Sequence, residues 1–231
     1  MTASNGSSEL QTGIEDVLAH LPISSTTEYR KNQMIYGPGN ASKGIYLVIS
    51  GKVGISQIAE DRTEVLLDIV RPDELFGESA FLAEPRRSER TTAVEAAKVM
   101  TWPVSEIEHL VMKRPRLAVA LLQVLAQRNV ELSRRIESFA IDTIERRLAR
   151  SLLHFSDRLG TPQADGSVRI MPFTHEKLSQ YVGTSREIVT HYMNRFRKQG
   201  YVSYSRVGIL LYRHSLRKAL DEGFRSAATA D

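Results

Sequence analysis

The stretch 174–202 most narrows the choice of fold, because two short segments of helical periodicity meet there at Gly183. Thr174 can cap the first segment, and Thr184 and Ser185 can cap the second. Apolar residues recur at helical spacing in both segments: Leu178, Tyr181, Val182, Ile188, Val189, Tyr192, Met193 and Phe196. Two short helices joined by a tight glycine-containing turn are typical of a helix-turn-helix. The alternative is an αα-hairpin with a polar exposed face.

The start of the second predicted helix carries side chains that can read DNA. Arg186 can bond bidentately to guanine, Glu187 can accept from a cytosine amine, and Ser185 can hold a phosphate. A helix-turn-helix inserts this end of its second helix into the major groove. Two predicted strands, 201–204 and 209–212, would form a wing beside it. We predict DNA contacts from the motif and the wing: Thr174, Thr184, Ser185, Arg186, Glu187, Thr190, His191 and Arg206.

The charge distribution supports the same prediction. The chain has a net charge of +4, and its isoelectric point is about 9.4. Basic residues crowd the C-terminal third: Arg186, Arg195, Arg197, Lys198, Arg206, Arg213, Arg217 and Lys218. Such a stripe is the electrostatic footprint of phosphate neutralisation. The alternative is an ordinary solvated helix face.

The first half of the chain has a different texture, that of short strands separated by turns. The predicted strands are 34–36, 45–49, 53–58, 64–70, 92–94 and 99–102. Evenly spaced short strands indicate an antiparallel roll or barrel. The fold class is therefore α+β, in four parts: a disordered tail at 1–12, an antiparallel β-roll at 13–112, a dimerisation helix and hinge at 113–140, and a winged helix-turn-helix domain at 141–231.

The long helix that starts at Pro115 predicts a homodimer. Its apolar residues follow spacings of four, four, seven and seven: Leu117, Leu121, Leu125, Leu132 and Phe139. These residues form an apolar seam along the helix, in which Arg128 takes the place of one apolar residue. A heptad-like seam favours a parallel pair of helices. The alternative is a helix packed only on its own roll. Asp142 can then cap the next helix after a hinge at 139–142.

Two segments resemble the cyclic-AMP receptor protein (CRP/FNR) family of transcription regulators. One is Gly183–Glu187 with Leu178 and Ser179 before it, and the other surrounds Gly77 and Glu78. The resemblance runs from about Leu18 to Leu220. It implies a cyclic-nucleotide-binding-like roll, a homodimer under allosteric control, a palindromic promoter site in double-stranded DNA, and RNA polymerase as a partner.

The second segment resembles a phosphate-binding cassette, and it places the effector in the roll. Gly77 permits close backbone approach, and amides at the start of a short helix favour an anion. The resemblance assigns ligand contacts to Gly77, Glu78, Ser79, Arg90 and Thr91, with Glu78 on the ribose hydroxyl and Arg90 on the phosphate. Arg86 and Arg87 are alternatives to Arg90. A further alternative is a purely structural roll in a ligand-independent regulator.

The identity of the effector is left open by Glu131. By the resemblance, cyclic-AMP-responsive members carry a Thr-Ser pair where this chain has Glu131 and Leu132. A carboxylate at 131 can accept from a guanine instead, although a solvent-facing glutamate is the commoner outcome. Cyclic AMP is the first expectation, and cyclic GMP and cyclic di-GMP are the alternatives.

Composition excludes several other classes of function. The chain has no cysteine, so no cysteine-bound iron–sulfur cluster or disulfide can form. The six histidines are scattered without metal-ligand spacing, so no metal is expected. The sequence contains neither a nucleophile elbow nor a phosphate-binding P-loop, so we predict no enzyme. Without an apolar membrane span or signal peptide, a cytoplasmic protein is expected.

Overall fold

The computed structural model describes residues 16–40, 44–58, 64–82, 89–205 and 207–224. The predicted tail, Arg86, Arg87 and Arg206 lie outside these residues. Within them, the strands are β1 (Ser25–Tyr29), β2 (Met34–Tyr36), β3 (Gly44–Ser50), β4 (Val53–Ile58), β5 (Glu64–Val70), β6 (Leu75–Phe76), β7 (Glu89–Ala93), β8 (Ala97–Pro103), β9 (Thr161–Pro162), β10 (Val168–Ile170), β11 (Val202–Ser205) and β12 (Gly208–Leu211). The α-helices are α1 (Val104–Lys113), α2 (Pro115–Ile141), α3 (Ile144–Leu159), α4 (His175–Val182), α5 (Arg186–Lys198) and α6 (Arg213–Asp221).

The N-terminal half is a roll of two four-stranded antiparallel sheets. Their strand orders are β1-β8-β3-β6 and β2-β7-β4-β5. Between them lie packed aromatic rings: Tyr46 stacks on Phe76 at 5.0 Å between centroids, and Tyr36 is tilted against Tyr46 at 5.3 Å. Small and β-branched side chains fill the remaining core: Val48, Val53, Val70, Ala93, Ala97 and Val99. The predicted roll is confirmed.

Three strands of the roll differ most from their predictions, and each difference has a physical reason. β1 was not predicted because four of its five residues are exposed and polar, so it carries no apolar alternation. β6 has only two residues. β7 starts at Glu89 rather than at Thr92, because its charged first residues pair with β4 instead of ending in a turn.

The long helix α2 rests on the roll by its first two turns. Pro115 occupies the start of the helix, where its missing N–H costs no hydrogen bond. Leu117 and Ala120 are fully buried and join a cluster with Trp102 and Ile107. Beyond this contact the helix continues to Ile141, for 27 residues in all, or about 40 Å at 1.5 Å per residue.

The junction after α2 differs in one detail from the prediction. Thr143, not Asp142, caps α3, since its hydroxyl accepts from the Arg146 amide at 3.4 Å. The Asp142 carboxylate instead accepts from Ser138 Oγ at 2.7 Å and from Arg146 Nε at 3.0 Å, and it pairs with Arg150 at 2.8 Å. Asp142 therefore ties the end of α2 to the start of α3.

The C-terminal half packs α3 to α6 against an antiparallel sheet of order β11-β12-β10-β9. Its core is apolar and includes Leu148, Leu152, Leu178, Val189, Met193, Phe196, Ile209, Leu211 and Leu216. This is the predicted winged helix-turn-helix domain. Among the described residues, no helix is long and apolar enough to cross a membrane, and no cluster of potential metal ligands is found.

Candidate nucleic-acid interface and effector pocket

The turn between α4 and α5 sets the presentation of α5. Gly183 ends α4 in the left-handed conformation, with φ of 71°, which costs a glycine little. A Cβ there would lie 2.8 Å from Cε1 of Phe139, so the turn lies directly against the end of α2. Ser185 then caps α5 by accepting from the Ile188 amide at 3.4 Å. The turn, the hinge and α5 thus form one packed unit.

The predicted base-reading residues lie on the exposed start of α5. Ser185, Arg186, Glu187 and His191 are exposed, whereas Thr184 and Thr190 are half-buried. Hydrogen bonds from its own backbone N–H and from the Ser185 hydroxyl lower the pKa of Glu187. Glu187 is therefore a carboxylate acceptor at neutral pH. The structure brings together the residues that sequence reasoning selected on this helix.

Thr174 has a different setting from the others. It caps α4 by accepting from the Lys177 amide at 3.1 Å. It also lines a cavity of about 190 Å³ between α4 and the roll, opposite Ser56 and Glu64. In this arrangement Thr174 lies beside the roll, at the opposite end of α4 from the turn at Gly183.

Some of the basic residues in the C-terminal third form ion pairs within the chain. Arg195 pairs with Glu145 at 3.2 Å, and Arg213 pairs with Asp157. Both acids lie on α3, 50 and 56 positions away in sequence, so the local sequence gave no sign of these pairs. Arg186 at the start of α5, and Arg197 and Lys198 at its end, are exposed.

A second site lies where the roll meets α2. Gly77 has φ of 85° and precedes a short 3-10 helix, Glu78–Phe81. The Glu78 carboxylate accepts from Nη1 of Arg128, and Nη2 of Arg128 donates to the Leu75 carbonyl. The cavity around this pair measures about 20 Å³, which is room for about one water molecule. Sequence reasoning recorded Arg128 only as a gap in the seam, although its spacing from Leu121 and Leu125 turns it toward the roll.

The other predicted ligand residues lie nearby on the same roll. Ser79 Oγ donates to Glu89 Oε1 at 2.7 Å, and the Tyr36 hydroxyl donates to the same oxygen at 3.2 Å. Arg90 and Thr91 follow on β7. Arg90 Nε and Thr91 Oγ1 are buried, and neither has a hydrogen-bond partner among the described residues. Both groups can donate a hydrogen bond to an anion.

Glu131 lies away from this cavity. Its carboxylate contacts Arg158 at 3.4 Å and Gln127 at 3.3 Å. Glu131 is not among the residues that line this cavity, and its predicted contact with a base stays a prediction.

Arginines connect the DNA-binding domain to the roll. Arg158 of α3 contacts Glu74 at 2.6 Å and Asp68 at 3.2 Å, in addition to Glu131. Burial alone would lower the pKa of Arg158, but these carboxylates outweigh it and raise the pKa. Arg135 of α2 donates to the carbonyls of Leu66, Leu67 and Tyr181 at 2.8–3.0 Å. Burial lowers the pKa of Arg135. Sequence spacing gave no sign of either set of contacts.

The exposed face of α2 corrects the predicted seam. Leu117 is buried on the roll and Leu121 is half-buried against it, so neither belongs to an outer face. Six exposed residues of α2 are instead spaced alternately three and four positions apart along the helix: Leu122, Leu125, Asn129, Leu132, Ile136 and Phe139. Five of these six are large and apolar. An a/d pattern of this kind is the signature of a coiled-coil surface.

The fold and these sites define a class of protein: a DNA-binding regulator that joins an antiparallel β-roll to a winged helix-turn-helix. The comparisons with known proteins agree. Residues 26–114 match the cyclic nucleotide-binding domain, and residues 146–219 match the Crp-like helix-turn-helix domain. The CRP-like cAMP-activated global transcriptional regulator of Mycobacterium tuberculosis is 30% identical over 80% of this chain and 82% of its own length.

Solved structures show the same fold. FixK2 from Bradyrhizobium japonicum has a TM-score of 0.74 at 20% identity, over 90% of this chain and 100% of that one. A CRP/FNR-family regulator from Thermus thermophilus has a TM-score of 0.68 at 26% identity, over 85% and 98%. The chain belongs to the CRP/FNR family of DNA-binding transcription regulators. The prediction that it is not an enzyme is confirmed, because these relatives are transcription regulators.

Proposed function

We propose that the protein is a homodimeric regulator whose affinity for a palindromic promoter site is controlled by a cyclic nucleotide bound between the roll and α2. The observation that carries this proposal is the ion pair of Glu78 and Arg128, because it joins the roll to α2 in the same pocket as the cassette. Cyclic AMP is the first candidate, since the Mycobacterium tuberculosis relative is described as cAMP-activated.

The chemistry of Glu78 in the pocket and of Arg90 and Thr91 on β7 suits a cyclic nucleotide. Arg90 Nε and Thr91 Oγ1, which are buried and have no partner among the described residues, can both bond to a cyclic phosphate. The Glu78 carboxylate can accept from a ribose hydroxyl. The cavity of about 20 Å³ is too small for a nucleotide, so binding requires the space between the roll and α2 to widen. Binding and movement of α2 are therefore coupled in this proposal.

The coupling reaches DNA through the end of α2. Phe139 packs against Gly183, and Arg135 donates to the Tyr181 carbonyl at 2.9 Å. A displacement of α2 thus acts directly on the helix-turn-helix. A ligand shifts DNA affinity only if it binds the DNA-competent arrangement more tightly. RNA polymerase is proposed as a further partner from membership in the family.

The exposed a/d face of α2 supports the dimer. Asn129 takes an a position between Leu125 and Leu132, and a single asparagine there favours a parallel two-stranded coil. The neighbouring g positions, Arg128 and Arg135, are engaged with the roll and with backbone carbonyls. The face that remains is apolar and suited to a second copy of the chain. A two-fold dimer would read half-sites one helical turn apart.

The dimer is tested by sedimentation of Leu132→Asp, which puts a charge into the proposed seam. We expect this variant to be monomeric and to lose operator affinity, because one of two tethered contacts is gone. Met112→Asp is the matched control, since Met112 is 82% exposed on α1 and lies off the seam. A monomeric wild-type protein, or a dimeric Leu132→Asp, contradicts the proposal.

The effector is tested by calorimetry of the wild-type protein against cyclic AMP, cyclic GMP and cyclic di-GMP. We expect saturable binding of one nucleotide, and loss of that binding in Arg90→Leu. Arg30→Leu is the control, because Arg30 is exposed at the end of β1.

One observation favours a second candidate, a ligand-independent regulator. The Arg128 guanidinium satisfies the Glu78 carboxylate within the chain, and the cavity beside them measures only about 20 Å³. In that case the roll is structural and none of the three nucleotides binds. If binding is seen but Arg90→Leu retains it, the effector proposal stands and the assigned phosphate partner is wrong.

A further inference from the structure

His175 lies at the meeting point of three elements of the DNA-binding domain. It is the first residue of α4, and its two ring nitrogens contact two other elements. Nδ1 lies 2.8 Å from Oγ1 of Thr190 on α5. Nε2 lies 3.0 Å from the hydroxyl of Tyr204 on the wing strand β11. The ring therefore bridges the recognition helix and the wing.

The direction of these hydrogen bonds follows from the partners. The Thr190 hydroxyl donates its one hydrogen to the Arg186 carbonyl at 2.8 Å, so Oγ1 must accept from Nδ1–H of His175. A neutral imidazole then offers Nε2 as an acceptor for the Tyr204 hydroxyl. The result is one directed chain from Tyr204 through His175 and Thr190 to the backbone of Arg186.

The surroundings keep His175 and Tyr204 in the protonation states that this chain of hydrogen bonds requires. Burial lowers the pKa of His175, and the charge of Arg186 lowers it further, so the ring is neutral at pH 7. Burial also raises the pKa of Tyr204, although Arg197 opposes this, so the phenol keeps its hydrogen.

We propose that His175 is a positioning residue for DNA reading, which fixes the wing relative to the first turn of α5 and thereby holds Arg186 at the depth where it meets base edges. Its ring needs no contact with DNA for this role. Thr190, which sequence reasoning assigned to DNA, then acts through Arg186. The inference rests on DNA binding by the helix-turn-helix and is independent of the effector and of the dimer.

Loss of the His175 ring should weaken specific DNA binding and leave non-specific DNA binding unchanged. Removing the ring takes away two hydrogen bonds but no positive charge, so contacts with phosphates remain. For His175→Ala we expect about a tenfold loss of affinity for a duplex selected by the wild-type protein, consistent with two bonds of modest net strength. Affinity for a random duplex and its salt dependence should stay unchanged. His214→Ala is the matched control, because His214 is exposed on α6.

Two further variants distinguish positioning from general stability. His175→Gln supplies one donor and one acceptor, and it should recover most of the specific affinity. Tyr204→Phe should lose specific affinity on its own and lose nothing more when combined with His175→Ala. The measurement is fluorescence anisotropy with both duplexes at fixed salt.

Three results would overturn the proposal. The first is an equal loss on selected and random duplexes in His175→Ala. The second is no loss on either duplex. The third is a Tyr204→Phe protein with wild-type specificity, which remains informative even if His175→Ala does not fold.

Discussion

Replacing Arg158 with alanine should uncouple the DNA-binding domain from the roll. The side chain is 15% exposed and faces three carboxylates, those of Asp68, Glu74 and Glu131. Its loss removes the ion pairs that it makes with all three, although Glu74 keeps its pair with Arg71 at 2.8 Å. An exposed ion pair is worth about 0–1 kcal/mol, and breaking a buried pair costs about 3–5 kcal/mol. For this partly buried cluster we expect a loss of about 2–3 kcal/mol in the free energy of docking.

The single tryptophan provides the assay. Trp102 is 1% exposed in the roll, so its fluorescence reports the roll alone, whereas far-UV circular dichroism also reports the helices of the other domain. In urea at fixed protein concentration, Arg158→Ala should separate the two transitions, with the dichroism midpoint shifting to lower urea. Guanidinium chloride is unsuitable because it screens the charges.

A matched arginine controls for loss of surface charge. Arg217 is 56% exposed and lies 3.8 Å from Asp157, so Arg217→Ala should cost less than about 1 kcal/mol. If Arg158→Ala shifts both probes together and by no more than Arg217→Ala, the cluster does not hold the domains together.

Three further sets of variants test the hinge and the interface. Gly183→Ala should lose about 1–2 kcal/mol to its left-handed backbone plus a clash with Phe139, so thermal melting should show a larger loss than for Gly166→Ala, whose added Cβ meets nothing within 4 Å. Arg186→Ala should cost about 1–3 kcal/mol of specific binding and relax one G·C preference, whereas Arg206→Ala should weaken all duplexes alike and lower the salt slope. Burial alone would raise the pKa of Asp142, but its hydrogen-bond and ionic partners outweigh burial and lower the pKa. The stabilisation by Asp142 is therefore present above about pH 4 and is lost on acidification, so unfolding of Asp142→Asn should depend less on pH in that range.

Local and periodic features were predictable from the sequence. The caps Thr174 and Ser185 and the turn at Gly183 placed α4 and α5, and all three residues act through bonds within a few positions of themselves. Most strands of the roll with apolar alternation were found in the same way, whereas the exposed β1 was missed.

Long-range contacts were not predictable in this way. Arg158 and Asp68 are 90 positions apart, and Arg128 and Glu78 are 50 apart. No local pattern marks such pairs. The seam of α2 was misjudged for a related reason, because Leu117 faces the roll and Leu132 faces outward, and both lie on one helix of leucine-rich sequence. Only the partner surface distinguishes these two faces.

Control of DNA affinity by a cyclic nucleotide in the roll is tested most directly by measuring operator binding with and without the nucleotide. Anisotropy titrations of a selected duplex should show tighter binding in the presence of one of cyclic AMP, cyclic GMP or cyclic di-GMP. By reciprocity, the duplex should tighten binding of that nucleotide by the same factor. Glu78→Gln should lose the response and keep its affinity for random DNA. Operator affinity that is the same with and without each of the three nucleotides would contradict the claim.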